Sequence, residues 1–207
     1  HLMWVTIDGG GRLHALGGRF IRQAATLRRF EVVDHILWLM RQEVLAPRMM
    51  QAVLQALGRA VGAAGMAGGQ MIDMATEGLQ LSEDEVMRLQ ALKTGRLIQY
   101  SAEAGAILGG ASVSQQAALA AYGADLGAAF QIADDVLDAT GTTAGIGKTA
   151  GKDAASGKAT PVALLGVRGA RDRAATLSAS AAAHLSGFGP AADGLRALAA
   201  YVVARKH

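Results

Sequence analysis

Residues Ser114–Asp138 read SQQAALAAYGADLGAAFQIADDVLD. Placing successive residues 100° apart sorts this stretch into two helical faces. Leu119, Tyr122, Leu126, Ala129, Phe130, Ala133 and Leu137 fall on one arc, and Gln131, Asp134, Asp135 and Asp138 on an adjoining arc of about 100°. Three carboxylates therefore crowd one side of a largely apolar helix, near its C-terminus, where the helix dipole opposes negative charge. A divalent cation relieves both costs. A hard ion such as Mg²⁺ takes one or two carboxylates together with substrate phosphate oxygens, which suits this cluster better than an all-protein cage. A solvated acidic helix end is the other reading of the same pattern.

The segment that follows repeats Gly-Lys at Gly147-Lys148, Gly151-Lys152 and Gly157-Lys158. Glycines let a backbone approach phosphate, and lysines supply complementary point charges; a surface loop is the plain alternative. A Walker A loop is excluded because Thr142 stands where its first glycine belongs. Gly145-Ile146-Gly147 fits a looser dinucleotide pattern but follows an acidic helix rather than a strand.

Upstream, Ser82-Glu83-Asp84-Glu85 has the capping-box pattern and predicts a helix running to about Leu108. Its apolar stripe is Val86, Leu89, Leu97, Tyr100, Ala104 and Ile107, with Lys93 near the centre. An ammonium there needs a partner: it can snorkel, pair with a carboxylate, or meet a diphosphate. Thr94 and Gln131 are neutral hydrogen-bonding groups flanking the same prospective site.

The whole composition agrees with a helical chain. Of 207 residues 44 are Ala and 27 Gly, while aromatics reach 4 %, which favours closely packed helices over a β-sandwich. Further helices are expected over Asp34–Leu45, Pro47–Gly78, Pro161–Ser186 and Pro190–Arg205, whereas residues 1–34 show no sustained period and no strand long enough to read. Met66, Met71 and Met74 sit at helical spacings and are expected in the core.

The absence of cysteine excludes disulfides and thiolate chemistry. His1, His14, His35, His184 and His207 are too dispersed for a metal or nucleophile-activating set. The net charge of +3 arises within residues 1–50 and forms no basic stripe, so no nucleic-acid partner is expected. Polar residues and glycines interrupt the longest charge-free run, Ala104–Ala124, so no membrane span is expected either. Without a visible leader, a cytoplasmic location is the default.

The run Phe130-Gln131-Ile132-Ala133-Asp134-Asp135-Val136-Leu137-Asp138, followed by Gly147-Lys148, Gly151-Lys152-Asp153 and Gly157-Lys158-Ala159-Thr160-Pro161, resembles the second aspartate-rich region of trans-isoprenyl diphosphate synthases. Lys93-Thr94-Gly95, Gly68-Gly69-Gln70-Met71-Ile72-Asp73 and Tyr201-Val202-Val203-Ala204-Arg205 resemble that family's Lys-Thr motif, its Gly-Gly-Gln-x-x-Asp helix and its last helix. The style is that of the bacterial short-chain branch, which makes farnesyl or geranylgeranyl diphosphate.

This resemblance implies an all-α isoprenoid-synthase helical bundle over residues 35–207, incomplete on its N-terminal side and usually homodimeric, with residues 1–34 unlike the family. It implies a prenyltransferase that joins isopentenyl diphosphate to an allylic diphosphate with Mg²⁺. Asp134, Asp135 and Asp138 would belong to the metal–diphosphate site, with Asp134 a direct ligand. Lys93 and Lys148 would bind the diphosphate, Lys158 would lie near it, and Thr94 and Gln131 would stabilise the developing cation. A first aspartate-rich motif and a Gly-Lys-Arg-type segment, both expected upstream, have no counterpart here: the acids before Glu43 are Asp8, Glu31 and Asp34. The alternative is therefore a truncated or degenerate homologue, without catalytic activity, that binds diphosphates or accompanies an active partner.

Overall fold

The computed structural model describes residues 5–7, 13–15, 47–76, 78–79, 81–140 and 160–205. Seven α-helices among them carry the architecture: α1 Pro47–Val61, α2 Met66–Ala75, α3 Glu83–Gln90, α4 Arg96–Leu108, α5 Val113–Thr140, α6 Pro161–His184 and α7 Asp193–Ala204. The all-α expectation holds. Two short strands also occur, β1 Val5–Ile7 and β2 Leu13–Ala15, paired antiparallel with Thr6 opposite His14. Three residues are too few for an alternation to be read from sequence, so these strands fall below the length that the sequence pattern could show. The predicted Asp34–Leu45 helix lies outside the described residues.

At 28 residues, α5 is about 42 Å long, and α4, α6 and α7 pack along it. Its apolar arc supplies Leu119, Tyr122, Leu126, Ala129 and Ala133 to a core completed by Ala181 and Leu185 of the α6 end and by Leu195, Ala199 and Val202 of α7. Alanines at these contacts let the helices approach closely. Polar groups caught between them find backbone partners: the Tyr122 hydroxyl donates to the Leu195 carbonyl at 2.9 Å, and Ser178 Oγ to that of Ala199 at 2.7 Å. A second core joins Val53, Ala56 and Ala60 of α1 to Tyr100 and Ala104 of α4.

Local signals explain two of the helix starts. Glu85 N–H donates to Ser82 Oγ while Ser82 N–H donates to Glu85 Oε2 at 2.8 Å, completing the capping box at the start of α3. Thr160 caps α6, accepting from Ala163 N–H at 3.2 Å with Pro161 in the first turn. α6 kinks at Gly166 (φ 69°, ψ 166°).

Two expectations need correction. The single helix predicted over Pro47–Gly78 is two, because the chain turns at Gly62–Gly65. The Gly62 N–H still bonds the Gly58 carbonyl, but Gly65 and Gly68 then both donate to Gly62 O, and a Cβ at Gly65 or Gly68 would collide with the carbonyls of Ala60 or Ala63. Three of the methionines are not core either. Met66, Met71 and Met74 are exposed, the last two by about two-thirds, because α2 turns a different face inward.

Candidate functional site

Between α3 and α4 the predicted Ser82–Leu108 helix is interrupted by one π-helical turn, Ala91–Gly95, which contains Lys93 and Thr94. Such bulges recur at functional sites because the extra residue re-aims side chains without ending the helix. Its neighbours close on it from two directions. A Cβ on Gly69 of α2 would stand 2.7 Å from the Lys93 amide nitrogen, and one on Gly127 of α5 would stand 2.9 Å from Gly95 Cα. Only glycine permits either approach.

The contact with α2 gives Lys93 its partner. Lys93 Nζ donates to Asp73 Oδ2 at 2.6 Å, with side-chain exposures of 38 % and 20 %. Of the partners open to this ammonium, the structure holds a carboxylate.

The contact with α5 brings in the acidic arc. Gly127, Gln131 and Asp135 follow at four-residue spacing on one face of α5. Gly127 meets Gly95, and Asp135 Oδ2 accepts from Gln90 Nε2 at 2.7 Å. Partly buried Gln131 thus lies on the α5 face turned toward the π-turn, between those two contacts. Thr94 is partly buried on the π-turn itself.

Asp134, more exposed, accepts from Arg205 Nη2 at 3.0 Å through its Oδ1. The same arginine, following α7, donates to the Phe130 carbonyl at 3.3 Å and stacks its guanidinium 4.2 Å above the Phe130 ring. Asp138 is one turn beyond Asp134 and partly buried. Lys148 and Lys158 lie outside the described residues.

Asp73, Gln90 and Arg205 contact the candidate residues Lys93, Asp135 and Asp134, and no single helix reveals them. Asp73 stands in a quoted motif and Arg205 in a quoted helix end, but their partners come from other helices.

Among the described residues, no three His, Cys, Asp or Glu side chains form a metal-holding group. What α5 offers is hard oxygens on adjacent turns, with Asp134 exposed and Asp135 held by Gln90. That set fits an ion completing its shell from phosphate oxygens and water.

The Ser82 backbone N–H and then its hydroxyl hold the Glu85 carboxyl below its ordinary value. Burial pushes the Tyr100 phenol up to about 12 and raises that of Tyr122 as well. Both phenols stay neutral near pH 7 and belong to the packing.

The geometry has known relatives. The polyprenyl synthetase family model matches residues 21–185. A farnesyl diphosphate synthase of Geobacillus stearothermophilus is 38 % identical over 165 residues, covering 80 % of this chain and 56 % of its own length. Geranylgeranyl pyrophosphate synthase 9 of Arabidopsis thaliana is 39 % identical over 166 residues, covering 78 % and 46 %.

Among solved structures, an FPP/GFPP synthase from Zymomonas mobilis superposes with a TM-score of 0.67 at 43 % identity, covering 76 % of this chain and 52 % of that one. A geranyltransferase from Helicobacter pylori, complexed with magnesium and isoprenyl diphosphate, superposes with the same TM-score at 28 % identity, covering 80 % and 55 %. The chain spans about half the length of the curated relatives it matches. No helix among the described residues is long and apolar enough to cross a membrane. By the extent of the family match and by its likeness to these synthases, the chain belongs to the polyprenyl synthetase family.

Proposed function

We propose that this chain serves trans-prenyl transfer, joining isopentenyl diphosphate to an allylic diphosphate to make a farnesyl- or geranylgeranyl-length product. The observation that carries the reading is the π-turn bearing Lys93 and Thr94, closed against the acidic face of α5, in a chain whose relatives are named for farnesyl and geranylgeranyl diphosphates.

In this reading Lys93 and Lys148 bind the diphosphate of the allylic substrate, with Lys158 near it. Asp134, Asp135 and Asp138 hold Mg²⁺, which when bound supplies positive charge to the departing diphosphate. The allylic C–O bond breaks and its electron pair leaves with the diphosphate. Thr94 Oγ1 and the Gln131 side-chain carbonyl turn their negative ends toward the cation left behind, a preorganised stabilisation of the kind that dominates ionisation chemistry. The double bond of isopentenyl diphosphate forms the new C–C bond, and loss of a proton regenerates an alkene. A homodimer and a cytoplasmic setting accompany this reading; light scattering and cell fractionation test them.

Incubating the chain with Mg²⁺, isopentenyl diphosphate and geranyl diphosphate, and extracting products for mass spectrometry, tests the activity. Elongated product that disappears in Lys93→Ala and Asp134→Ala supports it. Diphosphate binding without turnover selects the alternative of a non-catalytic binding subunit, and neither binding nor turnover overturns the enzyme and leaves only a partner subunit.

A further inference from the structure

We infer that Asp73 positions Lys93, by holding one N–H of its ammonium so that the remaining donors face an incoming diphosphate; this rests on the diphosphate-binding role proposed for Lys93. The first observation is the rotation of α2. Met71 and Met74 are 65 % and 64 % exposed, whereas the acid between them is only 20 % exposed at its side chain. Burial of apolar surface alone would turn this helix the other way. Its actual orientation is the one that puts Gly69 against the Lys93 backbone and, one turn later on the same face, Asp73 Oδ2 at 2.6 Å from Lys93 Nζ.

The second observation is how little the pair can do for stability and how much for orientation. With the lysine side chain 38 % exposed, the ion pair lies in the solvent-screened range and stabilises the fold only slightly. An ammonium has three donors, and the carboxylate is bonded to one of them. A free lysine ranges over many rotamers, and ordering it costs affinity on binding; one already held against Asp73 meets an anion with less entropy left to lose. The cost of the arrangement is a carboxylate close to a bound diphosphate. The two effects have opposite signs, so experiment can separate them.

Calorimetric titration with inorganic diphosphate in the presence of Mg²⁺ reads the affinity of the whole chain. Asp73→Asn should weaken binding by about tenfold, Asp73→Glu should restore part of the loss, and adding Asp73→Asn to Lys93→Met should change nothing further. The melting temperature of Asp73→Asn should stay near that of wild type, which separates positioning from a general loss of structure. Unchanged or tighter binding by Asp73→Asn, or additive losses in the double variant, would overturn the positioning role while leaving Lys93 as a ligand. If the wild-type chain fails to bind diphosphate, the functional reading itself fails, and the positioning role with it.

Discussion

Glu85 shows how one side chain carries a pH response without burial. Its carboxylate accepts from the Ser82 backbone N–H and hydroxyl, and these bonds hold its pKa below the ordinary value. A depressed carboxyl stabilises the folded state above its unfolded value, and that contribution fades as pH falls through the lower folded value. Glu85→Gln should therefore flatten the acid limb of the stability curve, read as urea midpoints between about pH 5 and pH 2. A parallel shift of the whole curve would remove the carboxylate from that role.

Arg205 acts through several weak contacts at once: an ion pair with Asp134, a bond to the Phe130 carbonyl and a stack on the Phe130 ring. Arg205→Ala should cost about 1–2 kcal/mol in urea denaturation. Lys should recover only part of it, because an ammonium lacks the planar fork that bonds and stacks together. Full recovery by Lys would show that charge alone is used.

At the scale of elements, the π-turn stays in place because two helices press on it through glycines. Gly127→Ala puts a methyl group 2.9 Å from Gly95 Cα, in contact with backbone on an opposing helix rather than with a flexible side chain. Overpacking of that kind costs about 1–3 kcal/mol, and it should displace the Lys93–Thr94 turn. Thermal unfolding together with diphosphate titration should show both stability and affinity falling in Gly127→Ala. Gly58→Ala, with nothing within 4 Å of the added carbon, should leave affinity unchanged. Loss of stability with full affinity would mean that the turn is held by other contacts.

α5 and α6 are joined at a second level by Asp125. Its Oδ2 accepts from Ser180 Oγ at 2.6 Å and stands 3.0 Å from His184 Nε2. Serine and histidine both address the carboxylate rather than each other, so this is a clasp between helices and not a nucleophile with its base.

Over the whole molecule, buried tyrosines set an alkaline limit. Tyr100 is pushed up to about 12 and Tyr122 is raised too. Their phenols deprotonate first in the unfolded chain, so stability is intact below about pH 10 and is lost as pH rises from there. In Tyr201→Phe, which removes the exposed tyrosine of α7, tyrosinate absorbance should consequently appear together with loss of helical circular dichroism. Separate transitions would mean that the phenols titrate within the native fold.

What could be read from the sequence was what a single helix decides. The two faces of Ser114–Asp138, the Ser82–Glu85 capping box and the Thr160-Pro161 start all depend on residues a turn apart. The break at Gly62–Gly65 was not legible because glycine is tolerated within helices as well as between them. The outward methionines of α2 follow from a rotation that the contact with Lys93 fixes, so their spacing could not reveal it. The partners of Lys93, Asp134 and Asp135 come from sequence distances of 20, 71 and 45 residues. The sequence located the charged groups without showing which of them meet.

In the proposed function, Lys93 on its π-turn and the acids of α5 form one site for a diphosphate and Mg²⁺. A ligand that binds only the folded chain raises its stability by mass action, about 2.7 kcal/mol at a hundredfold excess over Kd. For a chain of this size that is about 5–10 °C. The melting temperature of wild type and Asp134→Ala, each with Mg²⁺ and inorganic diphosphate together, is the most direct measurement. Wild type should rise by that order, Mg²⁺ alone should change little, and Asp134→Ala should lose most of the rise. Equal stabilisation of the two proteins would contradict that shared site and place the ligand elsewhere.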